Sequence, residues 1–343
     1  MRCSVAVLMG GRSSEHEVSL ASADAIVGAL DPERYEVTPV LIGADGAWSA
    51  DGEPVMLAPG PDGRCELLDR HGGSGRTVDV VFPALHGPFG EDGTVQGLCE
   101  MAGVAYVGAG VAASALAMDK ALFKTMMREA DVPTAPGIVV EVAEWRSGPR
   151  EVFDRVQAEV GYPAFCKPAR LGSSVGISPV PSRDELADAL ELALAHDPKA
   201  LVERAIEGRE VEVGVLGNEQ LVISPVGEIT YDAAWYDYAT KYEPGRMRLV
   251  VPAGISQGAA QRTRRLAEEA FRAVDCAGMA RVDFFVTPTD EVIVSELNTI
   301  PGFTPTSVYS SLMAAGGIGY GEVIERLVEL GVERLEAAEA FRN

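Results

Sequence analysis

The 343-residue chain is poor in the residues that staple small domains or hold structural metals: five cysteines and four histidines. Cys3, Cys65, Cys99, Cys166 and Cys276 are scattered, mostly inside apolar runs, and no CxxC pair exists. A disulfide framework and a structural zinc site are therefore not expected. Positive charge is also scarce, with 29 Lys and Arg against 51 Asp and Glu and a net charge of −22. Such a surface repels phosphate backbones, so nucleic acid is not expected as a partner. No apolar run reaches membrane-spanning length, which argues against a membrane partner. Met1-Arg2-Cys3-Ser4-Val5 leads straight into a strand-like stretch without a signal-peptide cleavage pattern, and the expectation is a cytoplasmic protein. The phosphate-binding pattern GxxxxGK[ST] is absent as well. An anionic ligand such as a nucleotide would need individual lysines, arginines or a metal to offset the acidic field.

What is present suits a globular protein of two or three domains. Ser4–Met9 is a short apolar run ended by Gly10-Gly11 and reads as a buried parallel strand. Ser14 and Glu17 have capping-box spacing before a helical pattern through Val18, Ala21, Ala25, Ile26 and Leu30. A second strand at Tyr35–Ile42 completes a β-α-β unit, the start of an open α/β sheet. Residues 44–76 are rich in Gly, Asp and Pro and predict hairpins or loops. Strand pattern returns at Val78–Leu85 and runs into His86-Gly87-Pro88-Phe89-Gly90-Glu91-Asp92-Gly93. Ligands of open α/β sheets gather beyond the carboxyl ends of strands, where both Glu15 and His86 fall.

Gly108-Ala109-Gly110-Val111-Ala112-Ala113 fits a loose dinucleotide fingerprint, but the acid expected about twenty residues later is missing. These glycines are read as a tight turn. One helix is predicted over Ala112–Ala130, carrying Asp119, Lys120 and Lys124, and another over Arg183–Ala195. Between them, Lys167 lies in a short strand before Gly172-Ser173-Ser174-Val175-Gly176. Such a loop exposes N–H groups and hydroxyls that can cradle phosphate oxygens, with the lysine as a point charge. Glu203 and Glu210 stand at strand edges, where a charged residue is ordinarily just solvated. The aromatic-rich stretch Tyr231–Tyr242 lacks a clean period and suggests a lid. The tail from Glu333 predicts a peripheral polar helix.

The most informative stretch is Arg281–Ser307. Two apolar runs, Val282–Thr287 and Val292–Leu297, flank the turn-prone Pro288-Thr289-Asp290. Alternation puts Arg281, Asp283 and Phe285 on one face, and Glu296 and Asn298 on one face of the second run. A tight hairpin then sets Asp283 nearly opposite Glu296 and Arg281 nearly opposite Asn298. Charges on a hairpin are usually its solvated side, yet lone carboxylates inside apolar runs are costly. Two carboxylates and an amide oxygen suit a hard divalent cation with phosphate oxygens.

Taken together, GGRSSEHEVSL (10–20), HGPFGEDGTVQG (86–97), MDK (118–120), KPARLGSSVG (167–176), YDYATKY (236–242), RVDFF (281–285) and ELNTIPGFTPTS (296–307) resemble the D-alanine–D-alanine ligases of the ATP-grasp superfamily, in family order over nearly the whole chain. The resemblance implies an α/β fold with α+β lobes in three domains. These are an N-terminal α/β domain over 1–110, a central ATP-grasp lobe over 111–207, and a C-terminal lobe over 208–343 with the metal site and lid. It implies that ATP phosphorylates one D-alanine, whose acyl phosphate a second D-alanine attacks through a tetrahedral intermediate, for peptidoglycan synthesis.

By the same resemblance, Asp283, Glu296 and Asn298 hold two Mg²⁺ ions, for which Mn²⁺ can substitute. Lys120, Lys167, Ser173 and Ser174 meet the phosphates, Glu203, Arg204 and Ile206 the adenine, and Glu210 the ribose. Arg204 departs from the family's frequent lysine, with little effect implied because backbone atoms read much of the base. Glu15 and His86 serve the first D-alanine, and Ser307 with Val308 the carboxylate of the second. Arg281 and Gly302 form the oxyanion hole. Lys241 and Tyr242 form a lid that closes with Ser173 and Glu15, and this pair favours D-alanine over D-lactate as acceptor. A homodimer is implied too. The rival readings are a ligase of D-alanine with D-lactate or D-serine, and a non-catalytic ATP-binding relative.

Overall fold

The computed structural model describes residues 2–60, 64–69, 75–172, 175–231 and 247–341. Strand β1 (Cys3–Gly10) is central to the first sheet and buried on both faces. Val5 and Val7 pack with α1 (His16–Ala29) and the C-terminal helix α10 (Tyr320–Ala340), while Ala6 and Leu8 pack with α2 (Thr94–Ala102). Its neighbours β2 (Tyr35–Ile42) and β7 (Val80–Pro83) run parallel to it, and β8 (Ala105–Tyr106) runs parallel to β7. The predicted β-α-β unit is therefore present. Strands β3 (Trp48–Ala50), β4 (Glu53–Pro59), β5 (Cys65–Asp69) and β6 (Arg76–Val78) add antiparallel hairpins to one edge, giving eight strands.

The second sheet has the order β11-β10-β12-β9, from β9 (Gly137–Glu141), β10 (Ala164–Pro168), β11 (Ser178–Val180) and β12 (Lys199–Arg204). Helices α5 (Val142–Ser147), α6 (Pro149–Glu159) and α7 (Leu186–His196) cover the face that carries Cys166 and Val202. Alternation sends Lys167 and Glu203 to the other face.

The third sheet is antiparallel, ordered β16-β15-β13-β17-β18, with β14 (Val222–Ile223) beside β13. Its strands are β13 (Arg209–Gly217), β15 (Gly227–Tyr231), β16 (Met247–Val250), β17 (Gly278–Val286) and β18 (Val292–Asn298). Val211, Val213, Val282, Phe284 and Val294 form its apolar face. They pack with α3 (Val111–Met118), α4 (Lys120–Glu129) and α8 (Gln257–Ala273) through Phe123, Met127, Leu266 and Phe271. Helix α9 (Val308–Ala315) lies on the opposite face, where a Cβ added at Gly214 would come 3.1 Å from Met313 and 3.3 Å from Tyr309.

Several local expectations are corrected. The single helix over Ala112–Ala130 is two, because Asp119 leaves helical geometry and its carboxylate caps α4 by accepting from the N–H groups of Ala121 and Leu122. The Ser14–Glu17 capping box is not formed, since α1 begins at His16 without a side-chain cap. Ser13 instead donates to the His86 carbonyl at 2.7 Å and accepts from the Glu15 N–H at 3.2 Å, so a contact with the neighbouring strand end replaces the local one. Arg183–Glu185 is a 3₁₀ turn before α7. The tail is not wholly peripheral: the Arg334 guanidinium stacks 3.9 Å from the Tyr106 ring centre and donates to the carbonyls of Tyr106 and Gly108.

Candidate active site

Strands β17 and β18 pair as the sequence predicts, with Arg281 opposite Asn298 and Asp283 opposite Glu296. Near the turn the ladder runs Phe285–Ile293 and Phe284–Val294, then shifts, leaving Ser295 as an extra residue. An unbroken ladder would set Ser295 opposite Asp283 and turn Glu296 to the apolar face. The bulge is what keeps both carboxylates on one side.

On its other edge β17 pairs with β13, which places Glu212 opposite Asp283. Arg281 binds both acids, with Nε and Nη2 donating to Asp283 at 2.7 Å each and Nε lying 3.0 Å from Glu212. Burial works against the charge on Arg281, but Asp283 and Glu212 outweigh it and hold its pKa well above the usual value. The Asn298 amide donates to Asp283 at 3.0 Å. Lys120, at the start of α4, lies 3.4 Å from Glu296 and donates to the Leu171 carbonyl at 2.8 Å. Two carboxylates and an amide thus share one face, with cations already drawn to them. Among the described residues no group of three or more His, Cys, Asp or Glu could hold an ion unaided. The donor set fits a hard cation whose remaining ligands are phosphate oxygens and waters, as Mg²⁺ prefers.

The first sheet supplies the opposite wall. Glu15 is buried next to two glycines: a Cβ at Gly87 would lie 2.8 Å from its Oε2, and one at Gly172 3.4 Å. Gly87 also has φ +75°, a conformation that strains other residues. Buried His86 has Nδ1 3.0 Å from the Ile300 carbonyl and Nε2 3.0 Å from the Ser22 hydroxyl. A carbonyl only accepts, so Nδ1 carries the proton and Nε2 accepts from Ser22. Burial pushes the His86 pKa down, which keeps this ring neutral. Ser22 Oγ in turn accepts from the Phe303 N–H at 3.2 Å. Glu91 accepts from the N–H groups of Gly87 and Ile300, and burial reinforced by Glu15 raises its pKa to about 8. These bonds lock the segment after β18 onto the N-terminal sheet.

On the second sheet buried Glu203 pairs through one oxygen with Lys167 of β10 and through the other with Lys124 of α4. Burial pushes the Glu203 carboxyl up, but the lysines outweigh it and bring it to about 2. Arg204 points to the opposite face, where Nε donates to the Val160 carbonyl at 2.8 Å, and Ile206 is half-buried beyond the strand end. Glu210 accepts from the Tyr231 hydroxyl at 2.5 Å. Ser307 precedes α9 without capping it, leaving the Val308 end of that helix open to an anion, and its Oγ accepts from the Thr304 N–H at 2.9 Å.

One cavity of about 670 Å³ joins Glu15, His86, Lys120, Arg281, Glu296 and Asn298 with Gly302, Ser307 and Val308. Glu91 and Gly172 line it too. Asp283 adjoins it through Arg281, whereas Lys167, Glu203, Arg204, Ile206 and Glu210 do not line it. Ser173, Ser174, Lys241 and Tyr242 lie outside the described residues. Sequence reasoning assigned no role to Glu91, Glu212, Lys124 or Ser22. Glu212 did carry a signal, being an acid inside the apolar run Val211–Leu216, two residues from Glu210 and so on its face.

The three sheets around this cleft have the architecture of an ATP-grasp ligase. Sequence comparison matches residues 4–109 to the family described as D-ala D-ala ligase N-terminus, and 126–329 to that described as D-ala D-ala ligase C-terminus. The D-alanine–D-alanine ligase of Deinococcus radiodurans is 46% identical over 338 residues, covering 97% of this chain and 99% of that protein. That of Geobacillus thermodenitrificans is 42% identical over 356 residues, covering 97% and 96%. Among solved structures, the D-alanine-D-alanine ligase from Coxiella burnetii superposes with a TM-score of 0.87 at 33% identity, over 99% of this chain and 96% of that one. The VanG D-Ala:D-Ser ligase from Enterococcus faecalis does so with 0.88 at 34%, over 96% and 100%. The chain belongs to the D-alanine–D-alanine ligase family.

Proposed function

We propose that this chain joins two D-alanines into D-alanyl-D-alanine at the expense of ATP, for peptidoglycan precursor synthesis. The observation that carries the reading is the convergence in one cavity of a buried acid (Glu15), a guanidinium (Arg281) and an open helix N-terminus (Ser307–Val308). An amine, a developing oxyanion and a carboxylate each find the partner their charge requires.

Glu15 holds the ammonium of the first D-alanine, and neutral His86 shapes the wall beside it. Lys120 and Lys167, with Ser173 and Ser174, meet the ATP phosphates. Glu203, Arg204 and Ile206 border the base, and Glu210 the ribose. Asp283, Glu296 and Asn298 are the residues that would hold Mg²⁺, two ions with Mn²⁺ as a substitute, to neutralise charge on the transferring phosphoryl group. An oxygen of the first D-alanine's carboxylate attacks the γ-phosphorus and ADP leaves. The amine of the second D-alanine, its carboxylate held by Ser307 and the Val308 N–H, then attacks the acyl carbon. Arg281 and the Gly302 N–H take up the oxyanion, and phosphate leaves as the amide forms. Lys241 and Tyr242 close over the site and exclude water that would hydrolyse the acyl phosphate.

The proposed domains are 1–110, 111–207 and 208–343, a division supported by one sheet lying in each span, and the proposed assembly is a cytoplasmic homodimer. The test is phosphate release from ATP–Mg²⁺ that requires D-alanine, with the product identified by mass spectrometry. Absence of D-alanine-dependent turnover in pure protein would sink the reading. The likeness to a D-Ala:D-Ser ligase makes acceptor choice a second question. Competition among D-alanine, D-serine and D-lactate over a pH range answers it.

A further inference from the structure

Lys124 stands four residues after Lys120 on α4, so both lysines leave one helix face. They serve different sheets. Lys120 turns to Glu296 of the third sheet, whereas Lys124 lies 2.8 Å from Glu203 Oε2 on the second. Glu203 Oε1 pairs with Lys167. Phe165 is the direct cross-strand partner of Glu203, which makes Lys167 its diagonal neighbour on the same face. All three charged side chains are buried. Burial lowers the Lys124 pKa, and Glu203 partly restores it.

The two lysines are not equivalent. Besides its ion pair with Glu203, Lys124 is pinned by a hydrogen bond donated to the Ala135 carbonyl at 2.9 Å. Lys167 pairs only with Glu203 among the described residues, and stands where the chain leaves β10 toward the glycine–serine loop. Drawing Lys167 toward a phosphate takes it away from Glu203. Were Lys124 not there, that movement would strand a buried carboxylate, which is strongly unfavourable.

We infer that Lys124 is a positioning residue, the standing counter-ion of Glu203, which frees Lys167 for the nucleotide's phosphates while Glu203 stays ionised on the nucleotide face. The inference rests on the ligase reading of this site. It makes Glu203 a carboxylate that can keep accepting a hydrogen bond, such as one from an amino group of the base, throughout phosphate binding.

The test uses the full chain. Lys124→Met keeps length and volume but removes the charge, so Glu203 retains Lys167. The Kd for ATP–Mg²⁺ by calorimetry and the KM for ATP should rise roughly ten-fold or more, with the KM for D-alanine nearly unchanged. Adding Glu203→Gln releases Lys167, so the double variant should bind ATP–Mg²⁺ more tightly than Lys124→Met alone. A purely structural lysine predicts a double variant no better than the worse single one, and that result overturns the inference. So does a Lys124→Met protein that binds ATP like the unmodified one. If Lys124→Met does not fold, Glu203→Gln alone decides with inorganic tripolyphosphate–Mg²⁺, which lacks a base. Binding at least as tight as the unmodified protein's supports a freed Lys167, and weaker binding refutes it. An unmodified protein that binds neither ATP nor tripolyphosphate would instead refute the ligase reading.

Discussion

Arg281 grips Asp283, two residues along the same strand, through two hydrogen bonds of 2.7 Å each, and reaches Glu212 at 3.0 Å. The guanidinium therefore supports the acidic pair as well as facing the cavity. Arg281→Met removes the guanidinium from between buried Glu212 and half-buried Asp283, and should destabilise the fold by up to about 3–5 kcal/mol. Arg281→Lys keeps the charge but loses the planar fork. It should fold, and its kcat should drop roughly 10²–10³-fold, the range seen when one oxyanion donor is lost. Denaturant unfolding of both variants beside steady-state kinetics checks this, and a Lys variant with full kcat would refute the oxyanion role.

Glu91 carries a pH signature. Its carboxyl is raised from 4.5 to about 8 by burial, with Glu15 adding to the effect. The folded chain thus binds a proton there that the unfolded chain releases. Its contribution is fully present below pH 4.5 and is lost as pH rises toward 8. Glu91→Gln removes that dependence. The stability of the variant relative to the unmodified protein should increase with pH across this window, by at most about 1.4 kcal/mol per pH unit. Thermal midpoints at a series of pH values read it directly, and a pH-independent difference would refute the raised pKa.

Asp197, the residue that ends α7, accepts from the Arg170 N–H, Nε and Nη2 and from the Lys199 N–H at 2.8–3.0 Å. The carbonyls of Ala169 and Leu171, either side of Arg170, hold the backbone and side chain of Lys120. Weakening this anchor with Asp197→Asn should raise the KM for ATP several-fold while kcat falls less than about two-fold, since positioning rather than chemistry is lost. A larger change in the KM for D-alanine than for ATP would contradict the assignment.

Gly87→Ala places a Cβ 2.8 Å from Glu15 Oε2 at a backbone φ of +75°. The strain should cost about 1–3 kcal/mol. The displaced carboxylate should raise the KM for the first D-alanine more than that for ATP. The two constants, measured with the thermal midpoint, separate strain from displacement.

Much of this site was legible in local sequence. The Arg281–Asn298 hairpin obeys side-chain alternation, and Pro288-Thr289-Asp290 closes it, with Asp290 at φ +64°. The Ser295 bulge was not legible, because nothing in an apolar run marks which residue the ladder skips. Glu212 meets Asp283 across a strand pairing that joins residues 71 apart in sequence, and Ser22 meets Phe303 across 281. The capping box was a sound local expectation that is not formed; the neighbouring Ser13 bonds instead to the His86 carbonyl, in the loop after β7 and 73 residues away.

The sequence by itself determined the alternating strands, the glycine turns and the residue types able to hold metal, phosphate and amino acid, because these depend on neighbours within a few positions. Only the tertiary structure decided which charges meet: Arg281 with Glu212, Lys124 with Glu203, His86 with Ser22 and the Ile300 carbonyl. Those partners are chosen by strand order and helix packing, where a buried charge must find whatever opposite charge or hydrogen-bond partner the fold brings within reach.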